Sequence, residues 1–446
     1  MAAGIGLGIS IGWKAFVKKT LGPTVDGIFA ILQGRSQNFE NEASSKAQVQ
    51  VLDTAGVLGK ASLVITPTAY NNGKLNAVLP SSSPFGDLNK AGGTNATRIN
   101  SSGEVEVMSS TNPRIDYEES DPAILCEYQT SNYLKYSEAM FSAAGSPWTT
   151  SGLGTSFVSM TLPDGSSGNI ANHYAYGVPG TISQSAILQN GKGAGFSVWA
   201  YNPETTAHNI SLKIVGYSGG GNPQSLPPGV WTRVKLVTPA TPSPLSITGV
   251  EITLATGKYT RLWGGQLEPT QFLNRTGVVT SYIPTNSGSV VTRVGELIIG
   301  QSNSSQINSE EGVFLFEGKM TNSGTNEFVN IIGNGGINSN ALSIYGTGGG
   351  TVSGRMRVGG VDQYFPVNGS LGKTHYNKYA VKWDGTTIKT FVNGVSVYSA
   401  PQSNSFAAGV LNQVNLSQGQ RFYGRIKMLA IFKEALTDAE VIAITT

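Results

Sequence analysis

Beyond residue 49 most of the chain is written in short runs that alternate apolar and polar side chains, broken by Gly, Asn and Ser. Period-two alternation sends successive side chains to opposite faces, so each run predicts a strand with one buried face. The clearest is 195–201, where Phe196, Val198 and Ala200 oppose Trp199 and Tyr201. Further strands are predicted over 210–215, 231–237, 247–254 and 259–263, with turns every eight to twelve residues or roughly so, as all-β sandwiches require. A second series begins with a buried strand at 313–320. Residues 379–383 then run into Asp384-Gly385, 388–392 into Asn393-Gly394, and 395–398 follow; both dipeptides predict type I′ hairpins. Ile426, Met428, Ala430 and Phe432 line one face of a last strand, and Thr437 with Glu440 forms a capping box that opens a short helix. Residues 333–350 are turn-rich, and the pattern assigns no strands there.

Between the two series lies a stretch of different character. Trp263 ends an alternating run, Gly264-Gly265 permits a sharp change of direction, and Pro269 and Pro284 forbid regular ladder pairing. Leu267, Phe272, Leu273, Tyr282 and Ile283 are too many apolar residues for a loose linker, so 269–295 reads as an ordered strap packed on its neighbours. Before the first series, Glu40, Glu42 and Lys46 are spaced for a short helix within 35–50, with a loose linker as the alternative. Val49/Val51, Leu63-Val64-Ile65 and Val105/Val107 read as short strands and Asn72-Gly73 as a hairpin turn. These strands hold so few apolar positions that they need a partner, either the next domain or sister chains.

The first thirty-four residues stand apart: an apolar, Gly-alternating run at 4–12, then Lys14, Lys18 and Lys19, then Ile28-Phe29-Ala30-Ile31-Leu32. The positive charge follows the apolar run, unlike a signal peptide, and each apolar stretch falls short of the ~18 residues of a span. An anchor that docks into a larger assembly is the expectation, with a membrane-surface peptide as its rival.

Composition narrows the class. Only 13% of the 446 residues are charged, Gly numbers 57, and 39% are hydrophobic, which fits many short strands joined by polar turns better than disorder. The net charge of +3 leaves no nucleic-acid footprint, and the single Cys126 excludes an internal disulfide framework.

Several motifs carry a resemblance. Gly264-Gly265-Gln266-Leu267-Glu268, then Thr280-Ser281-Tyr282-Ile283-Pro284-Thr285 and Val291-Thr292-Arg293, look like a connector of tailed and related bacteriophages. There it joins a carbohydrate-binding-module-like sandwich to a laminin-G or concanavalin A-like one in virion structural proteins. Ala96-Thr97-Arg98, with Asn100 and Gly103, and Pro113-Arg114-Ile115-Asp116-Tyr117 resemble the segment preceding the sandwich in the same proteins. The run 132–141 followed by Pro147-Trp148 resembles the opening of the jelly roll, and 378–395 resembles a laminin-G meander. The likeness covers about 63–446. It implies an all-β protein of tandem β-sandwiches, jelly-roll-like then concanavalin A/laminin-G-like, with a short N-terminal anchor. The expected divisions are 1–34 attachment segment, 35–122 linker and short-strand collar, 123–268 carbohydrate-binding-like sandwich, 269–295 connector and 296–446 second sandwich. It also implies a fibre, spike or capsid-decoration protein on the virion's external surface, attached to capsid or tail proteins through 1–34. A homo-oligomer is expected, with three copies by analogy.

Enzyme signatures are absent: no H-E-x-x-H, G-x-S-x-G, Walker A or helix-opening G-x-G-x-x-G occurs. His173, His208 and His375 are scattered, and Glu118-Glu119-Asp121 and Glu310-Glu311 are sequence neighbours that a strand turns to opposite faces. No cofactor and no metal ligand set is expected. Candidate glycan contacts are Tyr174, Tyr176, Trp199 and Tyr217, aromatic faces that stack on sugar rings or pack across strands equally well. Trp231 reads as core. The expected role is recognition of host-surface polysaccharide without cleavage; a surface adhesin of the host is the alternative, then a glycan-cleaving enzyme.

Overall fold

Asn72-Gly73 and Asn393-Gly394 both take left-handed backbone angles (φ 47° and 79°, 46° and 78°), the geometry a two-residue type I′ hairpin demands. Asp384-Gly385 departs from it. Only Gly385 is left-handed there, and the ladder closes at Trp383 opposite Ile388, leaving a four-residue loop. The Asp384 carboxylate organises that loop by accepting from the Thr386 and Thr387 amides at 3.0 and 2.7 Å. A side-chain mimic of a turn has replaced the backbone turn. The protein is seen in a computed structural model that describes residues 24–446 apart from 37, 92, 142–144, 192, 220, 222, 239–244, 270–278, 301–303, 321–326, 334–335, 348–350, 369–374 and 417–421.

The chain forms tandem β-sandwiches, and one is inserted into the other. The first is built from two five-stranded sheets. One runs in the order Trp148–Ser151, Gly180–Gly191, Leu245–Leu254, His208–Val215, Gln224–Leu226. The other runs Leu153–Thr161, Ser167–Ala175, Tyr259–Pro269, Ala194–Tyr201, Trp231–Val237. Phe196, Val198, Ala200, Leu212, Ile252 and Leu262 meet between them as the alternation requires.

The second sandwich uses both ends of the chain. Its ten-stranded sheet begins with Asn38–Phe39, Ala69–Asn71, Lys74–Leu75 and Leu88–Ala91, and only then continues with Leu297–Gly300 and later strands. Its eight-stranded sheet is closed by Ala61–Ile65, Ala123–Cys126 and Arg114–Asp116 against or beyond Gly424–Phe432. Leu63, Ile65, Tyr70, Leu75, Ile115 and Ile124 therefore share one core with Phe314, Phe316, Trp383 and Ile431. The boundary expected after 122 falls inside a hairpin in which Asp116 opposes Ala123. The short strands of 35–122 are not a separate collar: too poor in apolar positions to stand alone, they complete a sheet already present.

The outer face of the eight-stranded sheet is covered by helices. Helix α1 (Val25–Arg35) is capped by Thr24, whose hydroxyl accepts from Gly27 N at 3.2 Å, and α2 (Glu42–Thr54) by Asn41. Val49 and Val51, expected in a strand, belong to α2, whose 3.6-residue period brings Ser45, Val49 and Leu52 to one buried face. Val25, Ile28, Phe29 and Leu32 of α1 and Val49 and Leu52 of α2 pack with Val313, Leu315, Phe391, Met428 and Phe432. Arg35 then ties the end of α1 to Asp87 through two bonds of 3.0 and 3.1 Å. The final helix α3 (Asp438–Thr445) opens with the expected box between Thr437 and Glu440 and joins the same cluster. Residues 25–34, expected to await an external partner, thus have one within the chain. The rest of the expected attachment segment, 1–23, lies outside the described residues.

Where the chain leaves the second sandwich and returns to it, Thr130–Asn132 pairs with Val291–Arg293. Next to this ladder lies a buried charge cluster. Arg114 donates to Glu296 and, at 2.8 Å, to Glu127; Arg293 donates to the same Glu127 oxygen at 2.8 Å. Ser281 N–H donates to the other Glu127 oxygen at 2.7 Å, and its hydroxyl donates to the shared one at 2.6 Å. Burial alone would raise the Glu127 carboxyl, but Arg293 and Arg114 outweigh it and hold it well below the usual carboxylate range. One step along the strap, Glu268 accepts from Thr280, and Gln266 accepts from Ile283 N at 2.7 Å. The motifs that suggested a connector are the residues that tie the two sandwiches to each other.

Candidate carbohydrate-binding face

The sheet that contains Ala194–Tyr201 has one face in the core and one turned outward. Register places Ser156, Asn172, Arg261, Tyr201 and Trp231 in a straight line across all five strands of that outer face. Four strand spacings of ~4.8 Å give the line a length of about 19 Å. Asn172, Arg261, Tyr201 and Trp231 are half-buried, and Ser156 is exposed. The Arg261 guanidinium lies 5.1 Å from the centre of the Tyr201 ring and donates to Asn172 Oδ1 at 3.2 Å. Burial lowers its pKa, yet a guanidinium remains charged throughout the ordinary range. Tyr201 and Trp231 are 5.4 Å apart with planes tilted by 54°, and Trp231 Nε1 donates to the Thr161 carbonyl at 3.1 Å.

A second row lies alongside. Tyr174 opposes Tyr259 with ring centres 4.7 Å apart, and Tyr176 meets Tyr174 edge-on at 5.0 Å. Gly154 is Tyr174's partner on the other side, and its missing side chain leaves room for the Tyr176 ring, with which a Cβ would collide. Tyr176 is 61% exposed. The two rows together give a shallow aromatic surface with one fixed cation, an amide and no carboxylate among its row residues.

The candidate residues separate on this frame. Tyr174 and Tyr176 belong to the exposed surface. Trp199 is on the same outer face but buried: Trp263 and Tyr282 meet its ring at 5.5 and 5.3 Å, and Arg233 lies 4.5 Å from the ring centre. It anchors the strap rather than facing solvent. Tyr217 packs against the core cluster from the other side, away from these rows. Arg261, Tyr201, Tyr259 and Asn172 were not singled out in the sequence, and Trp231, read there as core, packs half-buried against the cluster of Trp199, Trp263 and Tyr282 at the end of the row. Alternation through 259–263 and 231–237 carried the signal, since Arg261 shares a parity with Tyr259 and Trp263.

Residues 318–442 match the family described as the Concanavalin A-like lectin/glucanases superfamily. No curated protein matches the chain. Among solved structures, the CBM40 of the Ruminococcus gnavus IT-sialidase is similar at 22% identity, covering 32% of this chain and 87% of that one, with a TM-score of 0.28. Domain 4 of a GH43 extracellular arabinanase from Geobacillus stearothermophilus, solved in complex with arabinotriose, is 16% identical over 39% of this chain and 85% of its own, with a TM-score of 0.27. A heptameric SAP-like pentraxin from Limulus polyphemus is 17% identical over 31% and 71%, with a TM-score of 0.26. The second sandwich is of the concanavalin A-like kind, as its meander indicated.

Three of the clustered acids, Glu118, Glu119 and Asp121, are taken up in ion pairs. Glu118 accepts from Lys235 at 2.7 Å and Arg425 at 2.8 Å, Glu119 pairs with Lys319, and Asp121 with Lys427 at 2.8 Å. Glu118 thereby spans from the first sandwich to the second. His173 is fully buried, with Nε2 3.0 Å from the Met140 carbonyl and Nδ1 3.2 Å from Thr155 Oγ1. His208 Nε2 lies 3.0 Å from Thr260 Oγ1. Both ring nitrogens of His173 are thus engaged within the sandwich, whereas the buried Nδ1 of His208 has no hydrogen-bond partner among the described residues.

Proposed function

We propose that this chain is a bacteriophage virion structural protein, of the fibre, spike or decoration kind, whose first sandwich recognises host-surface glycan without cleaving it. The observation that supports the recognition is the line Asn172, Arg261, Tyr201, Trp231 beside Tyr174, Tyr176 and Tyr259. Flat aromatic faces suit the apolar faces of sugar rings, and the amide and guanidinium supply directed hydrogen bonds to hydroxyls. A surface without row carboxylates has no acid–base pair to place across a glycosidic bond. The virion setting is supported by the connector motifs. External display on the particle follows from it, with contact to capsid or tail falling to residues 1–23, because 25–34 are occupied within the chain. The trimer expected alongside it now rests on resemblance alone: the short strands of 35–122 that argued for sister chains find partners in their own sandwich.

The test is a glycan array with the full chain, product analysis alongside, and proteomics of purified particles. Binding without new reducing ends, lost in Trp231→Ala and Arg261→Ala proteins of unchanged melting temperature, supports the reading. Released oligosaccharide would turn it into an enzyme, and absence from particles with binding intact would favour a host adhesin.

A further inference from the structure

The ten-stranded sheet of the second sandwich carries a polar row where packing alone would favour apolar side chains. Val329, Ile331, Leu342 and Ile344 enter the main core, so the residues between them, Asn330 and Ser343, point to the opposite face. Register extends the line straight across five strands: Asn415, Asn330, Ser343, Arg355 and Tyr364. On the same face Ile332 and Ala341 gather with Ile337, and Tyr345 packs against them, which forms an apolar wall beside the row. Asn330 and Ser343 are fully buried, whereas Tyr364 at the far end is 58% exposed. The row therefore runs from the interior out to solvent.

Among the described residues, neither the Oδ1 nor the Nδ2 of Asn330 has a hydrogen-bond partner, and neither does the Ser343 hydroxyl. Each buried group left unpaired destabilises the fold, a cost that a leucine and an alanine of similar outline would avoid. A free donor and a free acceptor on one amide, beside a hydroxyl that can act as either, match a ligand whose adjacent groups each donate and accept. Two neighbouring hydroxyls of a sugar ring have that chemistry. At the open end Asp362 accepts from Arg357 at 2.6 and 2.9 Å and from the Tyr364 hydroxyl at 2.9 Å, which fixes the tyrosine ring as a stacking face.

We propose that the row Asn330–Ser343–Tyr364 is a second saccharide-binding site, separate from the aromatic face of the first sandwich, that takes a vicinal diol at Asn330 and Ser343 and a ring face at Tyr364. It rests on the glycan-binding reading above, and the two sites are separable by mutation. Because Asn330 and Ser343 are closed off from solvent, the site opens before it fills, and association is slow.

The experiment uses the full chain on an array of neutral and carboxylate-bearing oligosaccharides, in three forms: unaltered, Asn330→Leu/Ser343→Ala, and Trp231→Ala/Arg261→Ala. The Asn330→Leu/Ser343→Ala protein is expected to lose at least about tenfold in affinity for glycans that the Trp231→Ala/Arg261→Ala protein still binds, the tenfold being ~1.4 kcal/mol. It is also expected to melt higher, because two unpaired groups have been removed; Ser343→Ala alone gives the milder form of both effects. Full retention of binding together with a lower melting temperature would overturn the site and assign these groups to trapped water. Loss of all binding in the Trp231→Ala/Arg261→Ala protein alone would sink the second site while leaving the first. No binding by the unaltered chain would sink both.

Discussion

Arg114 and Glu296, 182 residues apart, meet as a two-pronged pair with Nε–Oε1 and Nη2–Oε2 both at 2.5 Å. Neither side chain reaches solvent to any useful extent. Arg114 belongs to an early strand of the second sandwich, and Glu296 stands where the strap re-enters it, so the pair closes the loop of chain that contains the whole first sandwich. A planar guanidinium matches a carboxylate in this two-pronged way, and the geometry fixes direction as well as distance.

Glu296→Gln is expected to destabilise the protein by about 3–5 kcal/mol, because it leaves Arg114 charged, buried and short of a counter-charge. Urea unfolding of the two proteins at neutral pH measures the difference. A loss within a few tenths of a kcal/mol would mean that Glu127 alone can hold Arg114.

The N-terminal helix gives a second expectation. Removing residues 1–35 uncovers the sheet face formed by Val313, Leu315, Phe391 and Met428 by taking away Val25, Ile28, Phe29 and Leu32. Full burial of such side chains is worth about 1.5–3 kcal/mol each, so the truncated chain should melt far lower and bind a hydrophobic dye. Removing 1–23 takes away none of these four, and should leave the melting temperature of the sandwiches where it was. Equal melting temperatures for both truncations would contradict this account of α1.

How far the sequence reached depends on range. The strands at 195–201, 231–237, 313–320 and 426–432 were legible because alternation is a local property, and the capping box at Thr437 and Glu440 is local too. The insertion of one sandwich in the other was not, since nothing near Leu63 or Ile124 tells that its ladder partner, Ile431 or Ile426, lies more than 300 residues on. The candidate face shows the same division. Tyr174 and Tyr176 stood out as aromatic residues close in sequence, but Trp199 could not be known to lie beneath Tyr282 without the strap's path. Arg261 and Tyr201 gain meaning only from cross-strand register, which alternation leaves open. The connector was recognised by its letters, whereas its physical role appeared only when Gln266, Glu268, Ser281 and Arg293 were seen around one buried cluster.

Gly264 offers a test of the strap's fit. It sits at φ +67°, and an added Cβ would come within 2.8 Å of the Trp199 ring. Gly257 has almost the same backbone angle, +68°, with nothing within 4 Å. Gly257→Ala should therefore cost only the left-handed penalty of about 1–2 kcal/mol, whereas Gly264→Ala adds an overpacking cost of about 1–3 kcal/mol. Thermal unfolding of the pair isolates the contact. Equal losses would show that Trp199 moves aside freely and that the strap is looser than its packing indicates.

His173 contributes to the pH dependence of the first sandwich, in the direction opposed by Glu268 and Glu138, whose carboxyls burial raises. Burial lowers its pKa from 6.5 to about 4, only partly opposed by its bond to the Met140 carbonyl. The folded protein therefore binds fewer protons than the unfolded chain between these two values, and stability falls as pH drops through that window. Above pH 6.5 the contribution is fully present; by pH 4.5 most of it is gone, a loss of about 2–3 kcal/mol at 1.36 kcal/mol per unit. His208, whose pKa is also lowered by burial, acts in the same direction. Glu127, held far below the usual carboxylate range, begins to contribute only at more acid pH. Urea unfolding at pH 7.5 and pH 4.5 should show the drop, and His173→Gln should remove most of it while lowering stability at pH 7.5. A variant that kept the full pH dependence would move the responsible proton to another group, with His208 the next to examine.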